Sequence, residues 1–369
     1  VALQRIHIRE FRNISDQSLR LEPGLNVLEG ENAQGKTNFL EAIYYLANGK
    51  SFRNCDTESL IRFGADHSLL EAEWSFDGLS SALKMRLGHE GRQVEFQGKP
   101  IVRLTPIQAS LRVLAFTPDS STLFRSSPAA RRRYFDHAVG LQRPGYSALL
   151  SRYQRVLRQR NQLLEQGGPQ ELEESFNQQW AESALRLMQE REAYLQELAG
   201  PWERRFRDLL GEDVRPQFHW EGTLLREGLP SLSFLLQSLE AVRNQEFRYR
   251  RTLLGPQRDD LAVQFGSHPV RELASQGQQR LLVIALKLAE ADLFQAKSHR
   301  PPVFLLDDLG SELDHRHQQL LLDSLAELQA QSLLTTAQQG AYAALHANTF
   351  RVFAGQLLSQ NEVPLSFTS

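Results

Sequence analysis

An α/β phosphate-loop fold, split in two by a mainly helical insert, is the architecture the sequence predicts, and three strings predict it. Leu25 to Leu28 runs straight into Gly30-Glu31-Asn32-Ala33-Gln34-Gly35-Lys36-Thr37, which fits the pattern G-x-x-x-x-G-K-[ST]. Val303-Phe304-Leu305-Leu306-Asp307-Asp308 is a wholly apolar run, as in a buried parallel strand, that ends in two acids. Ser275-Gln276-Gly277-Gln278-Gln279-Arg280 is a polar, glycine-containing turn that opens a long apolar helix. By average residue usage the first pattern alone arises by chance in roughly one chain in a hundred of this length. Together, in this order, they point to binding and hydrolysis of ATP.

The elements follow in order. Leu3 to Phe11 and Leu19 to Leu21 read as short strands ahead of the phosphate loop, and Leu40, Ile43, Tyr44 and Ala47 then recur at helical spacing up to Gly49. Leu70, Ala72, Trp74 and Phe76 alternate, as do Leu83, Met85 and Leu87, with Val94 and Phe96 beyond a glycine turn; this predicts a small antiparallel sheet. Arg112 to Thr117 reads as one more strand. Ser127-Pro128 is an N-cap followed by proline at the first helical position, and from there to about Arg251 the pattern is mainly helical. One helix carries Leu149, Leu150, Tyr153, Val156 and Leu157 and stops at Gly167-Gly168-Pro169. A second carries Leu172, Phe176, Trp180, Ala184 and Leu187 and is expected to end at Gly200-Pro201, and a third spans Ser233 to Arg250. Heptads are not sustained, so the insert is compact. Ser332 to Thr336 reads as the neighbour of the acid-ended strand, and Thr349 to Phe353 as a terminal strand. The expected division is residues 1–124 and 252–369 for the two parts of the head, with 125–251 inserted.

Composition bounds the function. Across 369 residues no run of about eighteen apolar positions occurs, and the charged, alternating N-terminus argues against a secretory signal. The single cysteine, Cys55, cannot form an internal disulfide, so a cytoplasmic location is expected and neither thiol catalysis nor a cysteine zinc site is. With a formal net charge of −2, nucleic-acid binding must come from a local patch. Only six of the 42 basic residues are lysine; genomic base composition explains so global a bias better than phosphate recognition does.

In the phosphate loop, Gly30 and Gly35 let several N–H groups converge on one anion at the positive end of the next helix. Lys36, expected to be exposed, neutralises phosphate charge, and Thr37 offers a hydroxyl to Mg²⁺. Asp307 is placed to hold the metal and Asp308 to orient water; the alternative for Asp308 is a helix N-cap. Ser275 could likewise only cap its helix, but a buried helix whose N-terminus offers Gly277 and polar donors is also an anion site, one suited to ATP on a second subunit. Arg131-Arg132-Arg133 is the local choice for DNA phosphates, joined by Arg152, Arg155, Arg158 and Arg160, against the alternative of a solvated basic face.

Six strings carry a resemblance: Phe11-Arg12-Asn13, residues 30–38, Arg131-Arg132-Arg133-Tyr134-Phe135-Asp136, Gly255-Pro256-Gln257-Arg258-Asp259-Asp260, residues 275–280 and residues 305–314. They extend over nearly the whole chain, which resembles an ATP-binding-cassette head of the SMC-like branch and, within it, bacterial DNA replication and repair proteins. The resemblance implies a mixed sheet with helices plus an antiparallel β subdomain. It implies ATP and Mg²⁺ as cofactors and a weak, DNA-stimulated ATPase. The ATP-dependent homodimer would bind single- or double-stranded, gapped DNA without sequence choice and help place recombinase, with RecR- and RecO-like partners. By the same resemblance Gly30, Glu31, Asn32, Ala33, Gln34, Gly35, Lys36, Thr37 and Asn38 hold nucleotide, joined by Arg12 and Asn13, and Lys36 and Asp308 serve catalysis. Ser275, Gly277, Gln278 and Asp314 would act in trans across the dimer. Three positions depart from the family pattern: Asp308 replaces the usual glutamate, Thr336 the switch histidine and Asp119 the Q-loop glutamine. A transport-type cassette powering a membrane permease is the competing reading; Gln276, Thr336 and the long helical insert count against it.

Overall fold

The computed structural model describes residues 2–358, apart from 54, 168, 212, 213 and 227, so Gly168 of the expected helix stop and residues 359–369 of the last segment lie outside the described residues. Two compact units form, one from Val1–Ser121 with Leu286–Ser369, the other from Thr122–Ala285.

In the first unit, β1 (Ala2–Phe11) and β2 (Ile14–Arg20) precede β3 (Leu25–Glu29) and α1 (Lys36–Asn48). Then come β4 (His67–Phe76), β5 (Leu79–Gly88), β6 (Gly91–Phe96), β7 (Lys99–Ile101), α2 (Thr105–Ser110) and β8 (Val113–Phe116). Strands β2-β1-β4-β5-β6-β7 make an antiparallel sheet, as the alternating apolar pattern predicts. Its inward residues Ile6, Ile8, Leu70, Trp74 and Met85 share one core with Phe39 and Leu40 of α1.

The second unit holds α3 (Pro128–Gln142), α4 (Tyr146–Gln166), α5 (Gln170–Leu210), β9 (Pro216–Glu221), α6 (Leu232–Tyr249), β10 (Asp260–Phe265), β11 (His268–Pro269) and α7 (Val270–Leu273). Ser127 caps α3, its side chain accepting from Ala130 N. One expectation needs correction here. Helix α5 does not end at Gly200-Pro201 but continues to Leu210. An interior proline costs about 3 kcal/mol, yet Trp202, Phe206 and Leu209 extend the buried stripe beyond it and their burial outweighs that cost. Besides its helices the insert carries β9, which pairs antiparallel with β10 along its whole length.

Helix α8 (Gln276–Ser298) leads back into the first unit, followed by β12 (Val303–Leu306), α9 (Leu309–Glu312), α10 (His315–Glu327), β13 (Gln331–Thr336), β14 (Asn348–Phe353) and β15 (Gln356–Leu358). The second sheet runs β15-β14-β3-β13-β12-β8, parallel except for the β15 edge, which the sequence pattern did not predict. It interleaves strands from both ends of the chain. The register sets Thr335 opposite Leu28 and Leu306 opposite Leu334, so the phosphate loop and the paired acids emerge together at the carboxyl ends of the parallel strands. In open α/β sheets that is where ligands bind.

Candidate nucleotide site

Beyond β3 the chain turns through Gly30 to Gly35 and starts α1 at Lys36. The α1 N-cap, Gly35, has no side-chain capping bond, so the first N–H groups of α1 stay available to an anion. Glycine is needed at Gly35, where φ is 98° and a Cβ would lie 2.5 Å from the Asn13 amide. An open cavity of about 600 Å³ is lined by Asn32, Ala33, Gln34, Gly35, Lys36, Thr37, Asn38, Arg53, Asp307, Asp308 and Thr335.

Lys36 is not the exposed side chain expected. It is 8 % exposed, and Nζ donates to the carbonyls of Gly30 and Glu31, both at 2.7 Å. Burial lowers its pKa, against the pull of Asp308 and Asp307. The ammonium thus closes the loop upon itself, with a cation at the centre.

Asp307 follows β12 and is buried. Its Oδ1 accepts from Thr37 Oγ1 at 2.8 Å and from Thr335 Oγ1 at 2.8 Å, and Thr335 Oγ1 accepts from Asp308 N at 2.8 Å. Burial raises the Asp307 pKa although both threonine bonds and Arg53 favour its ionised form. Two residues more than 260 positions apart, Thr37 and Asp307, therefore meet directly. Asp308 stands at the N-cap of α9 with φ 49°, but its side chain makes no capping bond. A non-glycine residue held left-handed beside a ligand cavity, with its carboxylate uncommitted to the helix, is characteristic of functional sites.

Arg12 is the first site residue that the structure reassigns. Its guanidinium forks onto buried Glu41, at 3.0 and 2.9 Å, and donates to Ser59 O and Cys55 Sγ, and Arg12 does not line the cavity. Burial opposes ionisation of Glu41, yet Arg12, Ser51 and Arg53 hold its carboxyl below the usual range. Asn13 stays beside the loop, accepting from Asn38 Nδ2 at 2.8 Å. Two cavity residues had escaped sequence reasoning. Arg53, whose Nη1 donates to Asn38 Oδ1 at 2.8 Å, lies in an irregular segment without periodicity. Thr335 carries no local signal beyond that of a strand, and its following position, Thr336, accepts from Gln338 N.

In the second unit Ser275 and Gln278 cap α8 reciprocally: Ser275 Oγ accepts from Gln278 N at 3.1 Å, and Gln278 Oε1 from Ser275 N at 3.0 Å. The capping reading of Ser275 therefore describes this structure, and Gly277 beside it is exposed. Gln279 is buried and braces the turn by donating to Val270 O and Ala274 O. In the first unit Asp314 caps α10, accepting from His317 N at 3.0 Å.

The arginine run is the largest correction. Arg131 is 4 % exposed; Nε donates to Asp260 Oδ1 at 2.7 Å, Nη2 to Asp260 Oδ2, and Nη1 to the carbonyls of Phe124 and Ser126. Arg132 is half-buried and donates to Asp259 O at 2.6 Å. Only Arg133 of the three is exposed. A buried guanidinium held by a carboxylate and two carbonyls is not presented to DNA phosphates; Arg131 and Arg132 clasp Asp260 and Asp259 of the Gly255–Asp260 string instead. Arg160 is likewise buried against Glu246 at 2.6 Å, whereas Arg152, Arg155 and Arg158 are exposed on α4.

A phosphate loop, paired acids at the neighbouring strand end and a glycine turn opening an apolar helix define a P-loop ATPase head of the SMC-like ATP-binding-cassette class. Residues 2–358 match the RecF/RecN/SMC N-terminal domain model. The chain is 37% identical over 338 residues to DNA replication and repair protein RecF of Geobacter metallireducens, covering 90% of this chain and 92% of that one. It is 33% identical over 376 residues to RecF of Staphylococcus aureus, covering 96% and 99%. A solved structure of the recombination mediator protein RecF with ATP, from the RecFOR pathway, superposes with a TM-score of 0.87 at 26% identity, covering 97% of each chain. An Smc head bound to a ScpA domain shares the fold, with a TM-score of 0.55 at 14% identity over 98% of each chain. The chain belongs to the RecF family of DNA replication and repair proteins. A transport-type cassette is not favoured by these relatives, and no helix among the described residues is long and apolar enough to cross a membrane.

Proposed function

We propose that this chain binds ATP at residues 30–38 and hydrolyses it slowly, and that ATP pairs two heads two-fold on gapped DNA to help load recombinase with RecR- and RecO-like partners. The observation that carries the reading is the Thr37–Asp307 contact, which joins the phosphate loop to the acid-ended strand. The hard oxygen donors of Thr37 and Asp307 suit Mg²⁺, which binds through one or two carboxylates together with substrate phosphates. Bound there, the ion would neutralise charge on the phosphates. The uncapped N-terminus of α1 offers its N–H groups to the phosphates, and Lys36 exchanges loop carbonyls for phosphate oxygens. Asp308, which caps nothing, orients the attacking water. Asp308 is one methylene shorter than the usual glutamate, and Thr336 stands where a histidine is usual, which fits slow turnover. Arg53, half-exposed in the same cavity, adds a cation near the phosphates.

Ser275, Gly277 and Gln278 open α8 and read the γ-phosphate of the opposite head, with Asp314 near the same interface. DNA phosphates meet Arg133, Arg152, Arg155 and Arg158, which are exposed, so binding is steep in salt and indifferent to sequence. The recombination relatives quoted above support this reading over transport.

Calorimetry of ATP with the wild type and Lys36→Met tests the assignment. Losing a charged donor to phosphate should weaken ATP binding by at least about tenfold. Unchanged affinity would remove the phosphate loop from the site.

A further inference from the structure

The bonds from Lys36 to Gly30 and Glu31 close one side of the phosphate loop, and contacts from outside the loop hold the other. Ala33 is a non-glycine residue at φ 65°, a conformation that surrounding contacts must maintain. Two of those contacts come from the far end of the chain. Strand β14 pairs in parallel with β3, setting Arg351 opposite Glu29, so its end lies beside the strand that feeds the loop. Ala354 and Gly355 then form the two-residue turn into β15, both left-handed at φ 47° and 79°. Both N–H groups of this turn point at one loop residue: Gly355 N donates to Gln34 O at 2.8 Å, and Ala354 N to Gln34 Oε1 at 2.7 Å.

The approach is close on each side. A Cβ on Gly30 would strike Val352 O, and a Cβ on Gly355 would lie 2.5 Å from Asn13 O. Asn13 in turn bonds Asn38, and Leu357 N donates to Gln17 Oε1 at 2.9 Å, which ties β15 to β2. The loop is thus gripped between the β1–β2 turn and the β14–β15 turn.

We propose that the Ala354–Gly355 turn is a positioning clamp for the phosphate loop: it fixes the Gln34 peptide and so aims the loop N–H groups before nucleotide arrives. This rests on the reading that residues 30–38 bind ATP. Gln34 and Gly355 are positioning residues that act through the loop backbone, so their loss raises KM and Kd for ATP more than it lowers kcat. Preorganisation of this kind stabilises binding by reducing the ordering required of the loop.

The fold contains its own control. Asp77-Gly78, between β4 and β5, makes the same left-handed turn at φ 50° and 77°, but a Cβ on Gly78 meets nothing within 4 Å. Gly78→Ala and Gly355→Ala therefore share the backbone strain, and only the second disturbs the loop. Titration of the full-length chain with ATP should show Gly355→Ala binding about tenfold more weakly, the scale of losing loop hydrogen bonds, with Gly78→Ala at the wild-type value. Gln34→Met removes the side-chain acceptor without touching the turn, and covers the case in which Gly355→Ala does not fold. It should weaken ATP binding several-fold at an unchanged melting temperature without nucleotide, and in the double variant the two losses should not multiply. Gly355→Ala and Gln34→Met that bind ATP as Gly78→Ala and the wild type do would overturn the clamp alone. A wild type without ATP affinity would overturn the nucleotide reading beneath it.

Discussion

Replacing Arg131 and replacing Arg133 should have opposite consequences, although the two residues are neighbours on one short helix. Arg131→Met keeps the length of the side chain and deletes the guanidinium. It removes two bonds to Asp260 and two to backbone carbonyls, and leaves Asp260, 16 % exposed, without its cation. Breaking a buried pair from one side costs about 3–5 kcal/mol, and the partial exposure of Asp260 argues for the lower figure, about 3. For a unit the size of Thr122–Ala285 each kcal/mol moves the melting temperature by roughly 2–4 °C, so a fall of about 6–12 °C is expected. Arg133→Met removes an exposed charge and should leave stability within about 0.5 kcal/mol. On the proposed function its effect should fall on DNA, with binding weaker for every sequence and the slope of log K against log salt reduced by about one. Thermal melts and fluorescence anisotropy at three or four salt concentrations, on both variants, read these outcomes. An Arg131→Met protein with wild-type stability, and a DNA defect matching that of Arg133→Met, would refute the argument.

Three further outcomes follow from the same geometry. Asp308→Asn should bind ATP normally, hydrolyse it at a small fraction of the wild-type rate and accumulate ATP-bound dimer; wild-type turnover, measured by phosphate release, would move the catalytic role elsewhere. Burial pushes the Asp259 carboxyl up to about 7, with Arg191 and Arg132 opposing. A folded pKa above the unfolded 3.8 means the stability it contributes is complete below that value and lost as pH rises through about 7. Asp259→Asn should therefore gain on the wild type between pH 5 and 8, by at most roughly 3 kcal/mol, and a pH-independent difference in urea unfolding would contradict this. Ser275→Arg should prevent ATP-driven pairing while monomers still bind ATP, which sedimentation and calorimetry separate; dimers forming as before would exclude the turn at Ser275 to Gln278 from the interface.

What could be read from the residues alone was whatever local chemistry dictates. The phosphate loop, the apolar strand ending at Asp307 and the capped start of α8 each announce themselves within about ten residues, and the first two meet through Thr37 and Asp307. The alternating strands of the antiparallel sheet were legible for the same reason. What stayed hidden depends on partners far away in sequence. Arg131 looks like a solvent charge until Asp260, 129 positions on, is seen to hold it. Arg12 is likewise taken by Glu41, and Lys36 is buried by its own loop. Pro201 reads as a helix stop because its local cost is visible, whereas the burial of Trp202 and Phe206 that overrides it is tertiary. Strand β9 has little pattern of its own and exists because β10 pairs with it.

The most direct test of the whole account is the mass of the wild-type chain in solution under three nucleotide conditions. Light scattering at micromolar concentration should give the monomer, 42.1 kDa, without nucleotide and with ADP. A saturating non-hydrolysable ATP analogue should double it, because in the proposed function only the γ-phosphate gives Ser275, Gly277 and Gln278 of the opposite head a ligand that closes the two-fold pair. A persistent monomer at saturating analogue, or a dimer formed equally well with ADP, would contradict the claim that ATP itself joins the heads.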